Sequence, residues 1–141
     1  MSVYLSSENQ RAAGIMFARV LLGIIFLMQG YGKVFNWGVE GIYQSAFVDY
    51  ESSWIPVFAL KLTAYFTSYA ELIGGGLLII GLFRQWAYIL LALVLLVVSY
   101  GHGLSSPIWD LHHVFFRSAL LILLFLVPIE WDRWSLDKFI T

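Results

Sequence analysis

AYFTSYAELIGGGLLIIGLF, residues 64–83, is apolar enough to cross a bilayer, yet it carries a carboxylate, Glu71, near its middle. An ionised side chain at that depth is costly, so it normally faces a protein interior, a partner charge or a water-filled cavity. Gly74, Gly75 and Gly76 follow within one turn and remove side-chain bulk beside it. Small residues of this kind let another helix or a ligand come close to the backbone. The stretch reads as a membrane helix against which something packs, with Glu71 answering to it.

The rest of the chain fits that solvent. Of its 141 residues, 60% are hydrophobic and 12% charged, and mean hydropathy is +0.80. That balance lies outside ordinary soluble domains and marks an integral membrane protein. At about 20 residues per span, the apolar material supplies four helices and short connections. The expected fold is therefore all-α, a four-transmembrane-helix bundle in one domain, 1–141. A net charge of −1 leaves no electrostatic footprint for nucleic acid. The absence of cysteine excludes disulfide exchange, thiol catalysis and thiolate metal sites within the chain.

Working outward, the four spans fall at about 12–33, 56–83, 86–101 and 107–127. The first is a span and not a cleaved signal peptide, because Arg19 splits its apolar run and no small-x-small cleavage site follows within reach. Between the first two spans, Ile42, Ala46, Phe47 and Tyr50 recur at helical spacing, which predicts a short amphipathic helix on the membrane surface of the first extracytoplasmic loop. Ser53 is a suitable N-cap for the second span, with Pro56 in its first turn. Arg84 and Gln85 form a tight turn, residues 101–106 a second loop, and Ser106-Pro107 an N-cap and N1 pair for the fourth span. Pro128 stops that span. Arg11, Arg84, Arg133 and Lys138 lie on one side, Lys33 and Lys61 on the other. The bias places both termini in the cytoplasm, with the long loop and the histidine loop outside.

Three charges lie inside the spans. By rise per residue, Arg19 is about 12 Å from the inner end of the first, and Arg117 about 15 Å from the outer end of the fourth. Glu71 lies at similar depth, so the three are expected in one layer, with Arg19 paired to Glu71 and Arg117 left as the surplus charge. Two readings follow. One is a structural network that fixes helix register. The other is an anionic or hydrogen-bond-accepting ligand, such as a quinone head group, that completes the set. A second polar layer nearer the outer face comprises Gln29, Lys33, Thr67, Ser68, Tyr100, His102, Asp110, His112 and His113. Asp110, His113 and Arg117 share one helical face and form a stripe descending toward the charged layer. His102, Asp110 and His113 could bind a metal, but no ligand spacing supports it, and His112 and His113 point in different directions. No metal is assigned.

Arg19 leads the run ARVLLGIIFLMQGYGKVF, which ends Gly30-x-x-Lys33; about thirty residues later comes ELIGGGLLIIGLF, with Glu71, Gly74, Gly75 and Gly81. Together, and in this order, these pieces resemble the DoxX family of small four-helix membrane proteins. The resemblance implies a four-helix inner-membrane bundle and, more loosely, redox work. Some relatives look like subunits of a thiosulfate:quinone oxidoreductase or partners of oxidative-stress enzymes, others like assembly factors or cargo receptors. The expected function is a small subunit of a redox-linked complex that binds quinone, with no covalent cofactor. Its ligand would be held by Arg19, Glu71, Arg117, Lys33, Gln29, His102, Asp110 and His113. The alternative is a non-catalytic accessory or assembly subunit that packs against a partner, with a purely structural Arg–Glu network. Membrane lipid is one partner; a membrane or periplasmic protein, or a second copy of the chain, is another. A transport role would need a homo-oligomer, since no second half repeats the first.

Overall fold

The computed structural model describes residues 6–105 and 112–140, without the side chain of His113, and over them the chain is helical with no strand. Three helices are long and apolar enough to span a membrane. These are α1 (Ser7–Tyr31), α3 (Val57–Ile80) and α4 (Arg84–Ser105). A short helix, α2 (Val39–Ala46), separates the first two, a shorter apolar helix, α5 (His112–Leu126), follows α4, and a terminal turn, α6 (Asp137–Ile140), closes the chain. Packing runs from α1 to α3, α3 to α4, α4 to α5, and α5 back to α1, with the most extensive contact between α1 and α3. Leu22, Phe26, Leu78, Tyr88, Leu91, Leu95, Leu121 and Leu124 fill the space between them. Large apolar side chains such as Phe17, Met28, Ile73, Leu96 and Phe116 point outward. A chain dissolved in lipid leaves such residues there at no cost, since lipid tails are as apolar as Leu.

The element bounds differ from the expected spans for local reasons. α1 begins five residues before Ala12 because the Ser6 hydroxyl caps it, accepting from the Asn9 amide at 3.3 Å. Beyond Tyr31 the helix widens into a π turn over Gly32–Asn36, where the Trp37 amide reaches back to the Gly32 carbonyl. α3 starts after Pro56, which precedes the helix and does not enter its first turn; Ser53 is no cap, and its hydroxyl accepts from Ile55 instead. The helix stops at Ile80, short of Phe83. Gly81 adopts φ 72°, and the Gly81 and Leu82 amides return to the Leu78 and Leu77 carbonyls, a Schellman cap. The tight turn carries α4 from Arg84, two residues before Trp86, through to Ser105, so the loop expected at 101–106 is helix as far as it is described. Its last carbonyls find side-chain donors, Tyr50 to Gly101 at 2.9 Å and Ser105 to His102 at 3.2 Å. The Ser106-Pro107 start of the fourth span lies outside the described residues.

Contact between α1 and α3 is backbone on backbone. A Cβ at Gly30 would overlap the main chain of Leu72 and Glu71, and one at Gly75 the main chain of Leu27 and Gly23. No side chain larger than hydrogen fits at either position.

Candidate functional site

Arg19 does not pair with Glu71. Its guanidinium donates to the Leu78 carbonyl, to Ile79 at 2.9 Å and to Trp134 at 2.8 Å, while Nε lies 2.9 Å from Asp132 Oδ2. Arg84 shares that oxygen at 2.9 Å and holds Asp137 Oδ2 at 3.0 Å. Arg19, Asp132 and Arg84, all buried, and the partly exposed Asp137 thus form one chain of charge where the segment after Pro128 folds back beneath the helices. The Asp137 amide donates to the Gly81 carbonyl at 3.0 Å, and Phe83 and Arg84 amides donate to the Asp137 carboxylate at 2.7 and 3.0 Å. Partial burial alone would raise the Asp137 pKa, but these amides and the Arg84 guanidinium outweigh it and hold the carboxyl below its ordinary value. We call this the tail end of the molecule.

Glu71 belongs to a different layer, toward the loop end. On α1, Arg19 and Gln29 are ten residues apart, about 15 Å along the axis, so no single layer contains both. Gln29 stands in the last turn of α1 and Lys33 four residues on in the π turn, which carries Lys33 toward α3. The Lys33 Nζ stands 2.7 Å from Glu71 Oε2, with Glu71 fully buried. Glu71 Oε1 has no hydrogen-bond partner among the described residues. From α5, Arg117 donates to Gln29 Oε1 and lies with its guanidinium 5.6 Å from the centre of the Phe26 ring. Arginine is a donor only, so this bond fixes the Gln29 amide with its oxygen toward Arg117 and its NH₂ turned elsewhere.

Beside this layer lies a cavity of about 240 Å³ lined by Gln29, Lys33, Thr67 and His102 on the helices. Its other wall is Ile42, Ala46, Phe47 and Tyr50, the periodic stripe that the sequence assigns to a membrane surface. In α2 the buried residues are instead Val39 and Tyr43, which pack on Leu60 and Ala64 of α3. Tyr43 is anchored by its hydroxyl to Glu51, and that hydrogen bond together with burial pushes its pKa up to about 12. The Tyr50 hydroxyl bond to α4 closes the cavity on its far side.

Of the expected ligand residues, the structure gathers Gln29, Lys33, Glu71, Arg117 and His102 at the loop end and removes Arg19 to the tail end. Asp110 lies outside the described residues, as does the His113 side chain, so the stripe above Arg117 is not followed further. Among the described residues no three metal-ligating side chains converge. Asp132, Arg84 and Asp137 carry the second charged layer and escape a reading confined to spans. The available signal was the spacing of Trp131, Trp134 and Asp132 in the tail, apolar residues among charges that call for a docked segment.

No curated protein and no solved structure matches the chain. A protein-family model, DoxX, matches residues 14–102, which take in the Arg19-led α1, the Glu71 and glycine stretch of α3, and α4 as far as His102. With well over half its length matched, the chain belongs to the DoxX family.

Proposed function

We propose that the protein is a small four-spanning inner-membrane subunit of a redox-linked complex that binds a quinone-type head group in the loop-end cavity. The observation that carries this reading is the convergence of Gln29, Lys33, Thr67 and His102 on one cavity with the Lys33–Glu71 pair behind it. A quinone ring presents two carbonyl acceptors. The Lys33 ammonium and the Gln29 NH₂, oriented by Arg117, are the donors that meet them. The apolar ring lies against Ile42, Phe47, Val97 and Val98. At about 240 Å³ the cavity is smaller than most whole-ligand sites, which run from about 300 Å³ upward. It suits a head group whose tail stays in the bilayer. Glu71 Oε1 has no hydrogen-bond partner among the described residues and would accept, through Lys33, a proton that a bound quinol releases when a redox partner in the complex takes its electrons.

In this reading both termini are cytoplasmic. The tail end collects Arg11, Arg84, Arg133 and Lys138, and the loop end Lys33 and Lys61, the asymmetry expected of cytoplasmic and exterior faces. The test is quinone retention. Protein purified in mild detergent is extracted and its quinone content measured by mass spectrometry, then titrated with decylubiquinone. Lys33→Met and Gln29→Leu are expected to lower affinity at least tenfold, with Arg133→Gln unchanged. Unchanged binding in both cavity variants overturns the proposal.

The tail-end layer favours a second reading, an accessory or assembly subunit that packs on another membrane protein or on a second copy of itself. There Arg19 and Arg84 are joined through one Asp132 oxygen and Arg84 is tied to Asp137, a linkage that fixes the register of the helices against the tail. A chain that carries no quinone and falls apart without a companion would support that alternative.

A further inference from the structure

A second and larger cavity, about 450 Å³, opens at the tail end, on the opposite side of the molecule from the quinone-type site and independent of it. Its floor is apolar, with Ile15 of α1, Ile89 of α4 and Leu124 and Phe125 of α5. Its rim is polar, with Arg84, Gln85, Glu130 and Asp132. Trp86, Trp131 and Trp134 are exposed around the same end, and indole side chains of this kind settle at the head-group level of a bilayer. The cavity therefore runs from head-group depth into the hydrocarbon.

The rim is unevenly satisfied. Arg84 commits Nε to Asp137 and Nη1 to Asp132 and two carbonyls, and its Nη2 makes no hydrogen bond within the described residues. Asp132 is 2% exposed and uses Oδ2 for both arginines, while its Oδ1 has no hydrogen-bond partner among the described residues. Glu130 beside it is exposed and lines the same rim. One edge thus asks for an acceptor and the other for a donor; the rim itself carries two carboxylates and one guanidinium, with Arg19 behind Asp132 on Oδ2.

We propose that this cavity binds a phospholipid whose head group ends in a primary ammonium, of the phosphatidylethanolamine type. Its phosphate meets Arg84 Nη2 and the Gln85 amide, its ammonium donates to the Asp132 and Glu130 carboxylates, and the start of an acyl chain lies on Ile15, Ile89 and Phe125. A purely anionic lipid would face the two carboxylates with nothing to offer them. A choline lipid carries the charge but no N–H, because methyl groups replace every donor.

The experiment measures thermal unfolding of the full-length protein in detergent micelles doped with phosphatidylethanolamine, phosphatidylcholine or phosphatidylglycerol. Lipid retained after purification is identified by mass spectrometry. The ethanolamine lipid is expected to stabilise the protein at concentrations at least tenfold below those needed for the other two, and to be enriched in the retained lipid. Ile89→Trp fills the floor without touching any charge and is expected to abolish the difference. Glu130→Gln, at an exposed position, should reduce it several-fold and covers the case in which the tryptophan variant does not fold. Equal stabilisation by all three lipids, preference for the glycerol lipid, or full selectivity in both variants overturns the proposal. Stabilisation by soluble phosphoethanolamine to the same extent overturns the membrane source of the ligand.

Discussion

Breaking the Lys33–Glu71 pair one side at a time gives the sharpest measure of the loop-end layer. At 2.7 Å and an effective dielectric of about 20, the gross attraction between the two charges is about 6 kcal/mol. Desolvation takes most of it back, and what mutation reveals is the cost of the survivor, typically about 3–5 kcal/mol when a buried pair loses one member. The two members are not equivalent. Glu71 is fully buried, whereas the Lys33 side chain is 18% exposed on the cavity side. Lys33 can therefore move its ammonium toward the cavity when Glu71 becomes Gln, while Glu71 has no such escape when Lys33 becomes Met. Lys33→Met should cost the upper part of that range and Glu71→Gln the lower. At about 2–4 °C per kcal/mol for a chain near this length, the melting temperature should fall by about 10–15 °C for Lys33→Met. The double variant should recover about 2–3 kcal/mol, the upper end for residues in contact. Tryptophan fluorescence melts of all four proteins provide the cycle. Additive losses, within about 0.5 kcal/mol, would refute the pairing. A parallel cycle of Arg19→Gln with Glu71→Gln should be additive, since those two occupy separate layers.

Gly30→Ala should destabilise the protein severely, because the added methyl meets backbone, whereas Gly76→Ala, whose nearest neighbour is a Leu27 methyl at 3.9 Å, should be near neutral or stabilising; urea or thermal melts of the pair decide this. Asp132→Asn should cost about 3–5 kcal/mol by leaving two buried guanidinium groups without their shared counter-ion, while Arg133→Gln, which breaks only an exposed 2.9 Å pair with Glu8, should cost about 0–1 kcal/mol. Tyr43 should ionise near pH 12 in a spectrophotometric titration; its hydrogen bond to Glu51 stabilises the fold fully below pH 10, the ordinary value, and that contribution is lost as pH rises through 12. At the acid end the sign reverses. Asp137, held below its ordinary value, stabilises the fold above about pH 4 and loses that effect as pH falls through its folded value, so Asp137→Asn should flatten the acid limb of the stability curve.

The sequence made the loop-end layer legible because distances within one helix are fixed. Gln29, Lys33, Thr67 and His102 could each be placed near one mouth by counting from a helix end, and the cavity joins them, whereas Glu71, counted to mid-depth with Arg19, stands instead with Lys33 beside that cavity. The pairing of Arg19 was not legible for the converse reason. Counting inward from Arg11 fixes a depth only if nothing folds back to meet it, and the segment after Pro128 does. Asp132 sits in a polar tail that composition assigns to water, yet it is one of the most buried charges in the molecule. Helix ends failed at glycine in two opposite ways. Gly81 stops α3, whereas Gly101 and Gly103 are carried inside α4, and glycine is common enough in membrane helices that its presence alone decides neither case. The stripe from Ile42 to Tyr50 has true helical periodicity, but periodicity says that one face is apolar and does not say whether lipid or a cavity wall lies against it.

The three-glycine run ties these observations together. Successive residues on a helix are about 100° apart, so three glycines strip the bulk from more than half its circumference. Gly75 opens toward the α1 backbone and Gly74 toward Leu91 of α4, which lets α3 press on both neighbours at one level. Glu71 precedes Gly75 by one turn and so shares its face; it is aimed at α1 for the same reason that Gly75 can touch it. Gly30 receives the α3 backbone at Glu71 and Leu72, and the π turn that starts two residues later brings Lys33 over the carboxylate. The ion pair is thus a consequence of the glycine contact and not an independent feature. A carboxylate in the middle of an apolar helix and a run of glycines beside it are two parts of one device, which brings two backbones close enough for a short-range charge pair to form at the edge of a cavity.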